Sequence, residues 1–311
     1  MPEITVENLT KYYGKYRAVD DISFSYSGSG AIGYLGPNGA GKTTTLKMMT
    51  HLLNPTSGNI TINGVDVQKA PKKAMANVGS LIENPSPYPY FTVKDSLNFV
   101  GEIRGVDKNE LRSLIGELSE KLKLPPLESR INQISKGQRQ RVVLASTMIS
   151  NPEILILDEP TSGLDPFERK IIRDLINDLK KDRLILMSSH LINEVADTCD
   201  QVMFIRQGKI ISKDRVSDIN LKFKSSIVQV DFVQPVDDLI RSRITALGYR
   251  ILKSSEKSIV ISLEGSEEDR ANLLSQIMQI AKVSAFYRVG SELEEAYISL
   301  LGDGSKDDIS D

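Results

Sequence analysis

The chain has 311 residues, of which 40% are hydrophobic and 26% are charged, and its formal net charge is −2. This length is typical of two domains, and the composition excludes a disordered chain and lacks the overall basic charge typical of nucleic-acid binding proteins. A single cysteine and two histidines exclude a disulfide framework and a metal cluster built on those residues, and they favour a reducing, cytosolic setting.

Apolar runs are short along the whole chain. None approaches the ~18–20 residues that a membrane helix needs. The N-terminal segment MPEITVENLT lacks the basic and apolar regions of a signal peptide. If the function concerns a membrane, we therefore expect the chain to dock onto it through a partner protein.

The first elements are predicted from alternation and helical spacing. Alternating residues 3–9 and 18–26 predict two antiparallel strands, and the apolar residues 30–36 predict a buried strand. A helix is predicted next, with an apolar face formed by Leu46, Met49, Leu52 and Leu53. Residues 58–67 alternate again around an Asn63-Gly64 turn, and residues 78–83 predict a further strand.

The pattern changes between residues 84 and 150. A Pro- and Tyr-rich cluster, NPSPYPYF, precedes helical segments, the first of which opens with a capping box at Thr92 and Asp95. Short apolar strands then return at 153–160, 183–189 and 201–208, separated by helices. This alternation predicts an α/β fold with a mostly parallel sheet that is covered on both faces.

Beyond about residue 220 the predicted order is βαββαβ. This order is typical of a small ferredoxin-like α+β domain, which we assign to residues 221–302. Residues 291–301 predict a final helix within it, and residues 303–311 predict a disordered acidic tail.

The segment GPNGAGKT, which follows the buried strand, predicts a phosphate cradle. Its glycines permit tight turns that aim backbone N–H groups at phosphate oxygens, at the positive end of the next helix. The lysine would reach the β- and γ-phosphates, and Thr43 would bind Mg²⁺. A chance glycine-rich turn is the alternative, but roughly 0.01 such matches are expected in a chain of this length. The predicted ATP-binding residues here are Gly36, Pro37, Asn38, Gly39, Ala40, Gly41, Lys42, Thr43 and Thr44.

Two acids end the strand ILILDEP. Open α/β sheets place ligands at the carboxyl ends of their strands, so Asp158 would hold Mg²⁺ and Glu159 would act as the general base on the attacking water. The alternative is that both are solvated acids that cap the turn into Pro160.

The segment ISKGQRQR begins a predicted helix with Ser135 as its N-cap. The Ser135 hydroxyl and the Gly137 N–H would form a second anion site. A simple capped helix without a ligand is the alternative, and the residues alone favour it. The apolar face of this helix contains Val142, Val143, Ala145 and Ile149.

Taken together, these motifs resemble the ATP-binding cassette (ABC) ATPases, over nearly all of residues 3–220. The resemblance implies a P-loop NTPase core with an N-terminal antiparallel β-subdomain and an inserted helical subdomain, which suits residues 84–150. The ordered motifs that carry it are GPNGAGKT, ISKGQ, ILILDEP, SGLD and the histidine of SSH.

The resemblance also implies roles for individual residues. The signature motif, Ser135, Lys136, Gly137 and Gln138, would contact the γ-phosphate of an ATP held by another subunit. With one cradle and one signature per chain, a complete site requires a homodimer or a heterodimer with a second ABC ATPase. Asp165 matches the loop that crosses that interface.

Two aromatic assignments depend on the same resemblance. His190 matches the switch histidine at the γ-phosphate, and a helix-start histidine without a ligand is the alternative. Tyr13 matches the aromatic residue that stacks on adenine; Tyr12 and Tyr16 are its neighbours, and a plain strand aromatic is the alternative.

Two residues depart from the usual family pattern. Glu83 stands where glutamine is usual; a carboxylate can still coordinate Mg²⁺, but it cannot donate hydrogen bonds as an amide does. Lys136 stands where a second glycine is common. Both replacements resemble those of export-type ABC ATPases of the bacitracin- and drug-resistance group, as do the segment NPSPYPYFTVKDSL and the ending SELEEAYISLL.

The sequence is therefore interpreted as an ATPase subunit, peripheral on the cytoplasmic face of the membrane, that powers export through a separate integral permease. The permease would contact Glu83 and the segment PSPYPYF; a small satellite core is the alternative for that segment. Other possible functions are a soluble ABC ATPase that acts on nucleic acid or ribosomes, or an ATP-dependent regulator. We expect no nucleic-acid partner.

Overall fold

The structure is a computed structural model that describes residues 1–83, 86–218, 225–264 and 267–288. The chain divides into two compact units, Met1–Asp214 and Arg215–Asp311. The expected domain boundary at residue 220, the predicted helix at 291–301 and the tail at 303–311 lie outside the described residues. Within the described ranges, no helix is both long enough and apolar enough to cross a bilayer.

The first unit alternates strands and helices as the sequence predicts. Its strands are β1 (Glu3–Tyr13), β2 (Tyr16–Ser27), β3 (Gly30–Leu35), β4 (Ser57–Ile62), β5 (Val65–Asp66), β6 (Val78–Leu81), β7 (Ile154–Asp158), β8 (Leu184–Ser189), β9 (Gln201–Arg206) and β10 (Lys209–Arg215). Its helices are α1 (Lys42–Met49), α2 (Pro71–Ala74), α3 (Val93–Ile103), α4 (Lys108–Lys121), α5 (Lys136–Met148), α6 (Pro166–Leu179) and α7 (Ile192–Thr198).

The central sheet has the strand order β10-β9-β3-β8-β7-β6. Strand β3 pairs in parallel with β8 and β9, and β7 pairs in parallel with β6 and β8. Every residue of β7 and β8 is buried, as expected of strands covered on both faces. The register sets Leu35 beside Ser189 and Asp158 beside Ser188. The carboxyl ends of β3, β8 and β7 therefore meet at one edge of the sheet.

A second sheet, with the order β2-β1-β4-β5, covers the N-terminal part of the unit. Its strands pair antiparallel, as predicted. The Asn63-Gly64 turn is confirmed: both residues have positive φ, 49° and 72°, as a tight two-residue hairpin requires.

The predicted apolar face of α1 is only partly correct. Leu46 and Met49 are fully buried and Leu53 packs partly against the core, but Leu52 is 65% exposed. The helix ends at Met49, and His51 adopts a left-handed φ of 57° that turns the chain. Helical spacing therefore does not continue to Leu52, which points away from the core.

Helices α3, α4 and α5 lie between β6 and β7 in the chain. Helices α3 and α4 pack against α5. The capping box at Thr92 and Asp95 is confirmed, since each side chain accepts a hydrogen bond from the other residue's backbone. The predicted apolar face of α5 is also confirmed; its buried members are Val142, Val143, Ala145 and Ile149.

The second unit has the predicted βαββαβ order. Its elements are β11 (Ser225–Phe232), α8 (Asp238–Ala246), β12 (Arg250–Ser254), β13 (Ser258–Glu264), α9 (Glu267–Ile280) and β14 (Val283–Arg288). The sheet is antiparallel, with the order β12-β13-β11-β14. The two helices and the sheet share a separate hydrophobic core, whose members include Val230, Ile244, Ile261 and Ile277.

Candidate functional site

The glycine-rich loop that links β3 to α1 has a backbone that larger residues would obstruct. Gly41 has a φ of 103°, and a Cβ there would lie 2.5 Å from the carbonyl oxygen of Ala18. A Cβ on Gly36 would collide with the carbonyl oxygen of Ile205. The loop thus lies against two neighbouring backbones, and glycine is what permits this close approach.

Lys42 is held inside the curve of this loop. Its ammonium donates hydrogen bonds to the carbonyl oxygens of Gly36, at 2.7 Å, and Pro37, at 3.1 Å, and its side chain is only 5% exposed. Burial lowers the pKa of Lys42 below its ordinary value, while the nearby carboxylates of Glu159 and Asp158 act to raise it. The loop is therefore already shaped around a cation, which can attract an anionic ligand.

A hydrogen-bonded chain joins the start of α1 to the ends of β7 and β8. The Thr43 hydroxyl donates to Asp158 Oδ2 at 2.8 Å, and the Ser188 hydroxyl donates to Asp158 Oδ1 at 2.5 Å. Ser188 Oγ also accepts from the backbone N–H of Glu159 at 3.0 Å. Asp158 is 5% exposed, so its carboxylate is held in one orientation at the edge of the cleft.

Thr43 and Asp158 offer oxygen atoms that suit Mg²⁺, a hard cation bound in proteins by one or two carboxylates together with substrate phosphates and water. Among the described residues, no group of three or more His, Cys, Asp or Glu side chains could hold a metal ion without other ligands. Thr43 and Asp158 therefore fit a Mg²⁺ ion whose other ligands come from phosphate and water.

Glu159 and His190 face each other across the same edge. Glu159 Oε1 lies 3.1 Å from His190 Nδ1 and 3.7 Å from the Lys42 ammonium. Glu159 has a φ of 44°, a left-handed conformation that is uncommon for residues other than glycine. The turn aims its carboxylate at the cleft, where it can accept a proton.

A cleft of about 230 Å³ opens beside these groups. Tyr13 and Tyr16 line it together with Asn38, Lys42 and Thr43. Tyr13 is half exposed, so its ring could stack on a flat aromatic ligand. The Lys11 ammonium lies over the ring, 5.6 Å from its centroid. Tyr12 instead packs against the guanidinium of Arg17.

The signature segment lies elsewhere, at the start of α5. Ser135 and Gln138 form a reciprocal capping box: Ser135 Oγ accepts from the Gln138 N–H at 3.1 Å, and Gln138 Oε1 accepts from the Ser135 N–H at 2.9 Å. Lys136 lies over Gly163, and a Cβ on Gly137 would press on Glu168. Within the described part of the chain, none of the four signature residues lines the cleft beside Lys42.

Asp165 has a local partner in the structure. It is the N-cap of α6, where its carboxylate accepts a hydrogen bond from the Glu168 N–H at 2.9 Å. The residue is exposed, so its other carboxylate oxygen remains accessible to solvent.

Glu83 follows β6 with a φ of 60° and forms an ion pair with Lys47 of α1. Sequence reasoning did not find this partner, although Lys47 stands four residues after Thr43 and so on the same face of the helix. Glu83 also lines a hollow with Thr43, Asp158 and Glu159. The predicted metal ligand therefore faces the correct edge of the sheet, but here it binds a lysine.

Comparison with known proteins decides the family. The profile of the ABC transporter family matches residues 19–162. The chain is 30% identical over 301 residues to the uncharacterised ABC transporter ATP-binding protein YxlF of Bacillus subtilis, an alignment that covers 96% of this chain and 99% of that protein.

The chain belongs to the ABC transporter ATP-binding proteins. It is also 36% identical over 229 residues to the bacitracin transport ATP-binding protein BcrA of Bacillus licheniformis, covering 71% of this chain and 73% of BcrA. A solved structure of an ATP-binding subunit of an ABC transporter is 27% identical and superposes with a TM-score of 0.65, over 71% of this chain and 92% of that one.

This ABC ATP-binding subunit is therefore an ATPase of a transporter. The alignment with YxlF continues through the second unit, whereas the solved structure covers a share of the chain close to that of the first unit.

Sequence reasoning missed Ser188, whose hydroxyl orients Asp158. Two adjacent hydroxyl residues at the end of a buried strand, directly before His190, were the signal that could have indicated it.

Proposed function

We propose that this subunit binds Mg·ATP in the cleft beside Lys42 and that ATP hydrolysis there powers export through a separate membrane permease. The observation that carries the proposal is that the start of α1 meets the ends of β7 and β8 at one edge of the sheet. There Thr43 donates to Asp158, while Glu159 lies within ion-pair distance of both Lys42 and His190. Such a convergence is what phosphoryl transfer to water requires, since its catalysis depends on positioning and charge stabilisation.

Each residue has one task in this proposal. Lys42 would turn from its carbonyl partners to the β- and γ-phosphates, while Tyr13 would stack on adenine. Thr43 and Asp158 would hold Mg²⁺, which when bound neutralises charge on the phosphates. Glu159 would accept the proton of the attacking water, and His190, 3.1 Å away, would hold the carboxylate toward the γ-phosphate.

A second chain would complete the site. The signature residues of this chain lie away from its own cleft, and the Ser135 hydroxyl, which accepts a hydrogen bond from its own helix, keeps its proton free for an external anion. Two chains arranged so that each signature faces the other's cleft would enclose two ATP molecules. Differences in contacts before and after hydrolysis would then drive opening and closing.

In this proposal the permease contacts Glu83 and the aromatic residues of the helical subdomain. Tyr88, Phe91 and Phe99 form an aromatic cluster with ring centroids 5.0–5.8 Å apart. Tyr90 is 79% exposed, and the cluster borders an apolar hollow of about 280 Å³. Partly exposed aromatic residues around a hollow suit a protein interface at the cytoplasmic face of the membrane. The proposed export direction rests on the resemblance of Glu83 and Lys136 to the residues of export-type ABC ATPases. The similarity to BcrA, which is named for bacitracin transport, supports a role in transport.

Affinity purification from solubilised membranes tests this function. We expect the tagged chain to retain an integral membrane protein, and Tyr90→Ala to weaken that retention while ATPase turnover of the purified subunit is unchanged. Leu239→Ala, which truncates a 57% exposed apolar residue of the second unit, serves as the control. Recovery of ribosomes or nucleic acid in place of a membrane protein would refute the transport proposal.

A further inference from the structure

Glu194 of α7 is a buried acid to which the steps above assign no task. It is 6% exposed, and both carboxylate oxygens accept hydrogen bonds from buried hydroxyls. Ser189 Oγ donates to Oε2 at 2.7 Å, and Thr161 Oγ donates to Oε1. Both hydroxyl residues are 2% exposed.

These two hydroxyls belong to the two segments that carry the facing residues of the cleft. Thr161 follows Glu159 by two residues, in a turn closed by a 3.0 Å hydrogen bond from the Ser162 N–H to the Glu159 carbonyl oxygen. Ser189 directly precedes His190, and its Oγ also accepts from the Leu191 N–H at 3.0 Å. One carboxylate therefore binds both turns.

The cost of burying this acid argues for a specific role. A carboxylate removed from water is unfavourable unless hydrogen bonds or a cation compensate it. Within the described residues, Glu194 is compensated by hydroxyl donors and not by an ion pair. An apolar residue on this face of α7 would avoid that cost, but it could not join the two turns.

We propose that Glu194 is a positioning residue for ATP hydrolysis, which acts through Thr161 and Ser189 to keep Glu159 and His190 at working distance. Lys42 and the glycine loop leave β3 and do not depend on this bridge, so ATP binding should survive its loss. The effect should therefore fall on kcat and leave KM for ATP almost unchanged. A misplacement of about 1 Å in such a pair is enough to cost up to about a hundredfold in rate.

The test compares Glu194→Ala, Glu194→Gln and a control, Val195→Ala. The control truncates the next buried side chain of α7, which packs over Gly33 and forms no side-chain hydrogen bond. We expect Glu194→Ala to lower kcat by at least about tenfold, with KM and the calorimetric Kd for ATP within about twofold of the parent. Glu194→Gln should restore most of kcat, because its amide can accept from one hydroxyl and donate to the other.

A merely structural role would give a different pattern. If Glu194→Ala lowers the melting temperature but not kcat, or if Val195→Ala lowers kcat equally, the proposal is wrong. Should Glu194→Ala fail to fold, Thr161→Val and Ser189→Ala each remove one arm of the bridge at nearly constant volume. Each should then lower kcat with unchanged ATP affinity, and their combination should cost less than the product of the two effects; full activity in both would overturn the proposal.

Discussion

The hydroxyl of Thr43 donates a 2.8 Å hydrogen bond to the carboxylate of Asp158, 115 residues further along the chain. This bond connects the first turn of α1 to the end of β7, across the intervening strand β8. Ser188 of β8 holds the other oxygen of the same carboxylate. Hydrogen bonds therefore orient both proposed metal ligands.

Asp158→Asn tests the proposed Mg²⁺ site. The amide keeps the shape of the side chain and can still accept from Thr43, but it removes the charge that attracts the cation. We expect turnover to fall by at least about tenfold. We also expect Mn²⁺, measured by electron paramagnetic resonance with ATP present, to bind only at higher metal concentration. An unaltered metal titration would exclude Asp158 as a ligand.

Glu159→Gln tests the proposed general base. Without a carboxylate to accept the proton, phosphate release should slow by about 10²–10⁴-fold while ATP still binds. ATP-loaded dimers should then accumulate, which gel filtration with light scattering can detect. Glu153→Gln, an exposed residue directly before the same strand, should behave like the parent. A monomer in the presence of ATP would count against a site shared by two chains.

Lys42→Ala tests the cradle. The ammonium has carbonyl partners at 2.7 and 3.1 Å in the structure, and we propose that it exchanges them for phosphate oxygens. Loss of this charged donor should weaken ATP binding by about 10–100-fold in calorimetry. Lys181→Ala, which removes a 73% exposed lysine, should have no effect. Equal affinity in Lys42→Ala and the parent would refute the proposed role.

The ion pair between Lys47 and Glu83 predicts that substitutions of these residues change the Mg²⁺ concentration needed for ATP turnover. We expect Lys47→Gln to release the Glu83 carboxylate, so that half-maximal turnover needs less Mg²⁺. In a Glu83→Gln background the same substitution should have no such effect, because no carboxylate is left to release. Both single variants should change the free energy of unfolding by at most about 1 kcal/mol, since the pair is partly exposed. Independent effects on the Mg²⁺ titration would show that the two residues are not coupled.

Cys199 should be unreactive in the folded protein. Burial raises the pKa of its thiol far above the ordinary value, so the nucleophilic thiolate does not form at neutral or mildly alkaline pH. An aromatic disulfide reagent should therefore react with the chain only after denaturation. Rapid reaction under native conditions would show that the packing between α7 and β3 opens readily.

Much of the fold could be predicted because its signals are local. The capping box at Thr92, the N-cap at Ser135, the Asn63-Gly64 turn and the order of elements in the second unit depend on a few adjacent residues, and all are present in the structure. The assignment of Leu52 to the α1 core failed because the helix ends three residues earlier, at a turn that helical spacing does not reveal.

By itself, the sequence determined which residues could carry the chemistry, because the glycines, the lysine and the acids at strand ends are recognised by their types and spacings. Only the tertiary structure decided their neighbours: Lys47 for Glu83, Gly163 for Lys136, and both Thr161 and Ser189 for Glu194. The reason is physical. Strand order in a parallel sheet arises from crossover connections and shared burial, and these bring residues together whose separation along the chain carries no local signal.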